Sequence, residues 1–175
     1  VCSFLRAGVR PLVQLGAVAA VAIGVAAALI ASMIKVAVHS VASRADDPAA
    51  VLGGLNRILS AQPGSQLISA AYLWLDPERR EARYSAAGHP PLLAWRRGRL
   101  ERIVSNGLLF GVTPEADYPA CEIAFEPGDR FLLYTDGLIE RSTEIIDAGL
   151  ARLAEVLARH AHRDLEAMCD LVIEE

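Results

Sequence analysis

Lysine is almost missing from this chain of 175 residues: of its 17 basic residues, 16 are Arg and Lys35 is the one Lys. That bias reads as codon usage rather than as recognition of anions. Cysteine is also scarce. Cys2, Cys121 and Cys169 are an odd number, far apart and without a Cys-x-x-Cys spacing, which excludes a disulfide framework and a zinc ribbon and suits a reducing, cytoplasmic setting. Aromatics make up 6%, and no basic stripe is interleaved with them. The densest basic run, Arg96, Arg97, Arg99 and Arg102 around Gly98, reads as the polar tip of a hairpin, so a nucleic-acid partner is not expected.

Acidic residues are few at the start of the chain. Residues 1–60 carry five basic and two acidic side chains, a balance of +3, while residues 61–175 carry the −7 that brings the net charge to −4. What is plentiful is apolar surface. A chain that is 53% hydrophobic and 22% charged, with mean hydropathy +0.32, is too apolar for a disordered or collagen-like polymer, and its length suits one domain with one core.

From Pro11 to Ile34 no residue is charged. The length permits a membrane span. Eight of these residues are Ala and two are Gly, and Gln14 and Ser32 add cost in lipid, whereas real spans lean on Leu, Ile and Phe. The competing reading is favoured: a buried strand over 12–21, a turn at Ala22-Ile23-Gly24, then a helix over 25–43 whose Ala26, Ala27, Ala28 and Ala31 form a flat packing surface. That surface leaves a homodimer as a further reading, and the membrane-anchored alternative stays open beside it.

Downstream, Asp46-Asp47-Pro48 has the chemistry of a helix start, and the spacing predicts a helix to about Ser60 with Val51, Leu52, Leu55, Ile58 and Leu59 on its apolar face. Three hairpins are expected next. The first joins 67–75 to 82–86 through Asp76-Pro77-Glu78-Arg79. The second joins 90–95 to 99–104 through Arg96-Arg97-Gly98, and the third joins 121–125 to 130–135 through Glu126-Pro127-Gly128-Asp129. Helical spacing returns over 144–160 and 164–173, with Leu150, Leu153, Val156, Leu157, Leu165, Met168 and Leu171 as apolar faces. Hairpins flanked by helices, with no alternation of β and α units, describe an α+β domain with antiparallel sheets.

Three ordered stretches carry chemistry. They are Tyr84-Ser-Ala-Ala-Gly-His-Pro-Pro-Leu-Leu93, Gly107-Leu-Leu-Phe-Gly-Val112, and Phe125-Glu-Pro-Gly-Asp-Arg-Phe-Leu-Leu-Tyr-Thr-Asp-Gly-Leu-Ile-Glu140. Together they resemble the successive signatures of the stage II sporulation protein E type of PPM (metal-dependent) serine/threonine phosphatase domain. Two upstream stretches, Gly24 to Lys35 and Asp47-Pro48 through Asn56-Arg-Ile-Leu59, resemble that family's helices, and five ordered matches are specific where one short match is not.

The resemblance implies a four-layer fold, a β-sandwich flanked by helices, spanning 1–175 as one domain. Its first 11 residues form a degenerate or foreign segment, and the family's final strand is absent. It implies manganese or magnesium as cofactor, since two hard dications held by carboxylates can polarise a water for in-line attack on phosphorus. The partner it implies is a phosphorylated regulatory protein, such as an anti-sigma factor antagonist. Asp136, in Tyr134-Thr-Asp-Gly137, falls at a metal-ligand position.

The family's first metal loop, Asp-Val-x-Gly-His-Gly, corresponds to Ala19-Ala20-Val21-Ala22-Ile23-Gly24, where a methyl group replaces the carboxylate. Ala19, Ala20, Ala22, Ile23 and Gly24 are therefore degenerate metal-loop positions. The expectation is an impaired or non-catalytic domain, with no confident catalytic residue and little or no metal bound. His89 is read as capping a turn, His39, His160 and His162 as solvated or structural, and Cys121 as a small buried residue in a strand.

Overall fold

The computed structural model describes residues 2–6, 15–21, 45–61, 67–135, 138–139, 146–160 and 163–174, the first two segments as backbone. The expected helix over 25–43 lies outside them. Within them the chain is α+β, with two antiparallel four-stranded sheets in two compact units.

One unit comprises Val1–Val9, Pro90–Ile103 and Glu126–Glu175. Its strands are β1 (Cys2–Arg6), β5 (Leu92–Arg96), β6 (Arg99–Ile103) and β8 (Arg130–Tyr134), in the order β1-β8-β5-β6. Helices α2 (Ile146–His160) and α3 (Leu165–Glu174) supply Leu150, Leu153, Val156, Leu157, Met168 and Val172 to a core with Leu93, Leu132, Tyr134 and Ile139. Each such fully buried aliphatic side chain contributes about 1.5–3 kcal/mol. Leu165 and Leu171, expected on the same faces, are half-buried.

The β5–β6 connection is the two-residue loop Arg97-Gly98, both at positive φ (50° and 75°), because that handedness matches the right-handed twist of the flanking strands. Asp129, buried at 6% exposure, then ties two turns together: its carboxylate accepts from Arg96 Nε at 3.1 Å and from the Glu126 N–H at 2.9 Å.

The other unit comprises Arg10–His89 and Val104–Phe125. Its strands run β2 (Leu15–Val21), β3 (Ser69–Asp76), β4 (Glu81–Ala87) and β7 (Cys121–Ala124), in that spatial order. Helix α1 (Pro48–Ser60) starts where the Asp47 side chain accepts the Ala50 N–H at 3.1 Å and Pro48 presets the first turn. It buries Val51, Leu52, Leu55 and Leu59 against Ala70, Tyr72 and Trp74, the alternate residues of β3, with Ala87, Phe110 and Tyr118. Ile58, expected on that apolar face, is instead 36% exposed. The β3–β4 turn is an Asx turn, Asp76 Oδ1 accepting the N–H groups of Glu78 and Arg79, each at 3.0 Å.

Two expectations need correction. The third hairpin does not form: β7 pairs with β4, while β8 pairs with β1 and β5 in the other sheet. Pro127-Gly128 has the chemistry of a type II turn, with Gly128 at φ 103°, yet a tight turn fixes only the reversal of the chain and not which strands then pair. Cys121 is partly exposed rather than buried, and its thiol donates to Val104 O at 3.4 Å.

Candidate functional site

Strand β2 carries Ala19 and Ala20, two of the positions that the resemblance assigns to the metal loop. It runs antiparallel to β3 with Ala19 opposite Ala71, Ala20 opposite Ala70 and Val21 opposite Ser69. Ala22, Ile23 and Gly24 lie outside the described residues, as does Asp136. On the N-terminal side of Asp136, β8 ends in buried Tyr134; on the other side, the Leu138 N–H donates to Thr135 O at 2.9 Å. Ile139 is buried, and Gly149 of α2 approaches its backbone so closely that an added Cβ would lie 2.0 Å from its carbonyl oxygen. His160 ends α2, and His39 and His162 lie outside the described residues.

At the end of the β2–β3–β4 sheet where β2 finishes, the residues that follow β4 and the segment around Gly107 converge. Ala87, the last residue of β4, pairs with Ala70. Gly88 follows at φ +58°, with its backbone so near Leu109 that an added Cβ would lie 2.6 Å from Leu109 Cδ2. Gly107 is laid alongside: Gly88 N–H donates to Gly107 O at 2.8 Å, and Gly107 N–H donates to Ala86 O at 3.1 Å. After the left-handed turn at Gly88 comes His89, 8% exposed, with its Nδ1 at 3.4 Å from Ser69 Oγ. Ser69 is half-buried and stands directly opposite Val21.

The 107–114 loop is held by a residue that sequence reasoning passed over. Asn56 of α1 is fully buried; its Oδ1 accepts the Gly111 N–H at 3.1 Å and the Ser60 hydroxyl at 3.2 Å, and its Nδ2 donates to Thr113 O at 2.7 Å. The signal was present as an amide set among the apolar residues of a helix, where a buried polar group must have partners. Ile68 and Phe110 complete the anchor with a reciprocal backbone pair at 3.3 and 2.9 Å.

Burial sets the acid–base character of two phenols, Tyr118 in one unit and Tyr134 in the other. It pushes Tyr118 up to about 12, and Tyr134 also to about 12 with Arg102 pulling slightly the other way. Neither hydroxyl has a hydrogen-bond partner among the described residues. Neither is ionised near neutrality.

Hard divalent ions need several oxygen donors converging on one point. Among the described residues no three of His, Cys, Asp and Glu gather to hold a metal ion, and Ala19 presents a methyl group where the resemblance calls for a carboxylate. By themselves the described residues do not form a cage for a metal pair. Nor is any helix among the described residues long and apolar enough to cross a membrane.

The sequence profile of the family described as Stage II sporulation protein E (SpoIIE) matches residues 23–175. This chain belongs to the SpoIIE family. Phosphoserine phosphatase RsbU of Bacillus subtilis (strain 168) is 31% identical to it over 124 residues, which make up 69% of this chain and 37% of RsbU. Among solved structures, the RsbU and RsbW domains of Rv1364c from Mycobacterium tuberculosis superpose with a TM-score of 0.81 at 28% identity, covering 92% of this chain and 46% of that one. The SiaA-PP2C domain of Pseudomonas aeruginosa superposes at 0.74 and 24% identity, covering 99% and 70%, a likeness of fold. The SpoIIE-family chain thus spans between a third and a half of the length of RsbU and of the mycobacterial protein. Its fold is that of the PPM phosphatases, as the motifs implied.

Proposed function

We propose that this SpoIIE-family chain is a protein serine/threonine phosphatase-like domain. It engages phosphoserine or phosphothreonine on a cytoplasmic regulatory protein, such as an anti-sigma factor antagonist, and hydrolyses it poorly or not at all. The observation that carries the reading is Ala19 on β2, opposite Ala71, at the position where the family's metal loop calls for an aspartate. Manganese or magnesium is the cofactor its metal-dependent relatives lead one to expect; a single carboxylate at Asp136 would leave a dication mostly to water and therefore weakly held. RsbU, a phosphoserine phosphatase by name, supports the class of substrate.

The test is turnover of a generic aryl phosphate by the purified chain with and without manganese. Absence of metal-dependent turnover is the expected result. Metal-dependent turnover that Asp136→Asn abolishes would refute the impaired reading and restore an ordinary metallophosphatase.

A further inference from the structure

Five large apolar side chains are exposed among the described residues, and three of them stand around one backbone bridge. Ile68 and Phe110 exchange N–H···O bonds at 3.3 and 2.9 Å and turn their own side chains into the core. Leu67, 61% exposed, comes just before the bridge on one segment; Leu108 and Val112, 52% and 51% exposed, stand two residues to either side of it on the other. A single exposed apolar residue is ordinary, whereas neighbouring ones mark a contact surface.

The charge beside them has one sign. Residues 104–125 contain Glu115, Asp117 and Glu122, all exposed, and no Lys, Arg or His. Glu122 is paired with Arg83 at 3.7 Å. Glu115 and Asp117 meet no cation among the described residues: Glu115 accepts the Thr113 hydroxyl at 2.7 Å, and Asp117 accepts the Tyr118 N–H at 3.0 Å. Arg57, beside Asn56 in α1, lays its guanidinium back along the helix toward Gly53.

We infer that the 107–117 loop, together with Leu67, is a docking surface for a segment of a partner protein whose apolar side chains are flanked by Lys or Arg. The inference rests on the reading that this chain engages a regulatory protein, and it names a surface that recognises the polypeptide of that protein rather than its phosphate.

Three features favour this use. The loop is preorganised: fully buried Asn56 holds Gly111 and Thr113 at 3.1 and 2.7 Å, so little ordering entropy is lost on binding. Its make-up is that of an interface, with apolar side chains that gain from being covered and carboxylates at the edge that steer a cationic partner. The charge also selects the occupant. A second copy seated face to face on this surface would set Glu115 and Asp117 against their own equivalents, and an anionic lipid headgroup meets the same repulsion; a basic segment meets none.

The experiment uses the full chain and a fluorescein-labelled peptide of Leu and Lys on a Gly-Ser background, with binding followed by fluorescence anisotropy. Two control peptides replace its Lys by Glu or its Leu by Ser. Saturable binding of the Leu-Lys peptide that weakens with added salt is expected, with binding of either control roughly tenfold weaker or worse. Leu108→Ser and Val112→Ser should each weaken binding about tenfold, and Glu115→Gln combined with Asp117→Asn about threefold with a flatter salt dependence. Because these residues are exposed, the variants should melt within a few degrees of the wild type. Should Leu108→Ser fail to fold, Leu67→Ser on the other segment must give the same weakening.

Equal binding of all three peptides, or equal binding of the Leu-Lys peptide by wild type and folded variants, overturns the docking surface while the phosphatase-like reading stands. Absence of saturable binding overturns it as well. A wild-type dimer in sedimentation that Leu108→Ser converts to monomer assigns this face to a second copy and likewise overturns the inference. If the aryl phosphate is turned over with manganese while the peptide binds as expected, the impaired reading fails and the docking surface survives.

Discussion

Asn56→Ala is the substitution whose effect the structure sizes most directly. Asn56 is fully buried, and its amide holds the Gly111 N–H at 3.1 Å and Thr113 O at 2.7 Å. Thr113 O would keep the Ala116 N–H at 3.3 Å, so the Gly111 N–H loses its partner while Thr113 O loses the shorter of two. An orphaned N–H costs about 1–3 kcal/mol, and truncating a fully buried side chain leaves a void that adds about 1 kcal/mol. The total is about 2–4 kcal/mol. In a chain of 175 residues each kcal/mol moves the melting midpoint by about 2–4 °C, so the expected loss is roughly 5–15 °C.

Asn56→Asp separates packing from hydrogen bonding, because it fits the same space while turning a second oxygen toward Thr113 O; it should destabilise at least as much. Urea unfolding followed by tryptophan fluorescence reads the change through Trp74, which sits in the same core as α1. Hydrogen exchange at the Gly111 amide should accelerate in parallel. A loss below about 0.5 kcal/mol for Asn56→Ala, the scale of an ordinary surface change, would refute the claim that this amide anchors the 107–114 loop.

Further outcomes follow from other particular contacts. Gly149→Ala must push α2 off Ile139, since the new Cβ would lie 2.0 Å from the Ile139 carbonyl oxygen; overpacking of this kind costs about 1–3 kcal/mol, less the roughly 1 kcal/mol that Ala gains in a helix, and a stabilised variant in a thermal melt would disprove the close approach. Asp129→Asn can keep the one oxygen that accepts both the Arg96 Nε–H and the Glu126 N–H but removes its charge, so urea unfolding should report a loss of about 1–2 kcal/mol, the charge-assisted part of the two bonds. Tyr118 and Tyr134 bind their protons more tightly folded, at about 12, than the ordinary 10.0 of an unfolded phenol. Their contribution is therefore complete below pH 10 and is lost as pH rises from 10 toward 12. Tyr134→Phe, which removes a buried hydroxyl that has no partner among the described residues, should be neutral or stabilising and should make that alkaline loss smaller in fluorescence-monitored titration.

The elements that turned out as the sequence implied are those fixed by local chemistry. Asp47-Pro48 starts α1, Asp76 closes the β3–β4 turn through its own side chain, and Arg97-Gly98 supplies the two positive φ angles of the β5–β6 loop; each needs only neighbours in the chain. The third hairpin failed for the complementary reason. Glu126 to Asp129 reverse the chain as their residues dictate, but β7 is chosen by β4, whose Arg83 lies 3.7 Å from Glu122, a pairing across 39 residues that no turn motif encodes. The site divides in the same way. Gly88, His89 and Gly107 were visible as motif residues, whereas Ser69 and Asn56 acquire their roles from partners 20 and 55 residues away.

Ala19 stands where the family resemblance calls for an aspartate, and without that charge nothing interrupts the run from Pro11 to Ile34, which is why the run imitates a membrane span. Strand β2 takes seven residues of it, Leu15–Val21, each opposite a residue of β3, so this part of the run is held in a sheet.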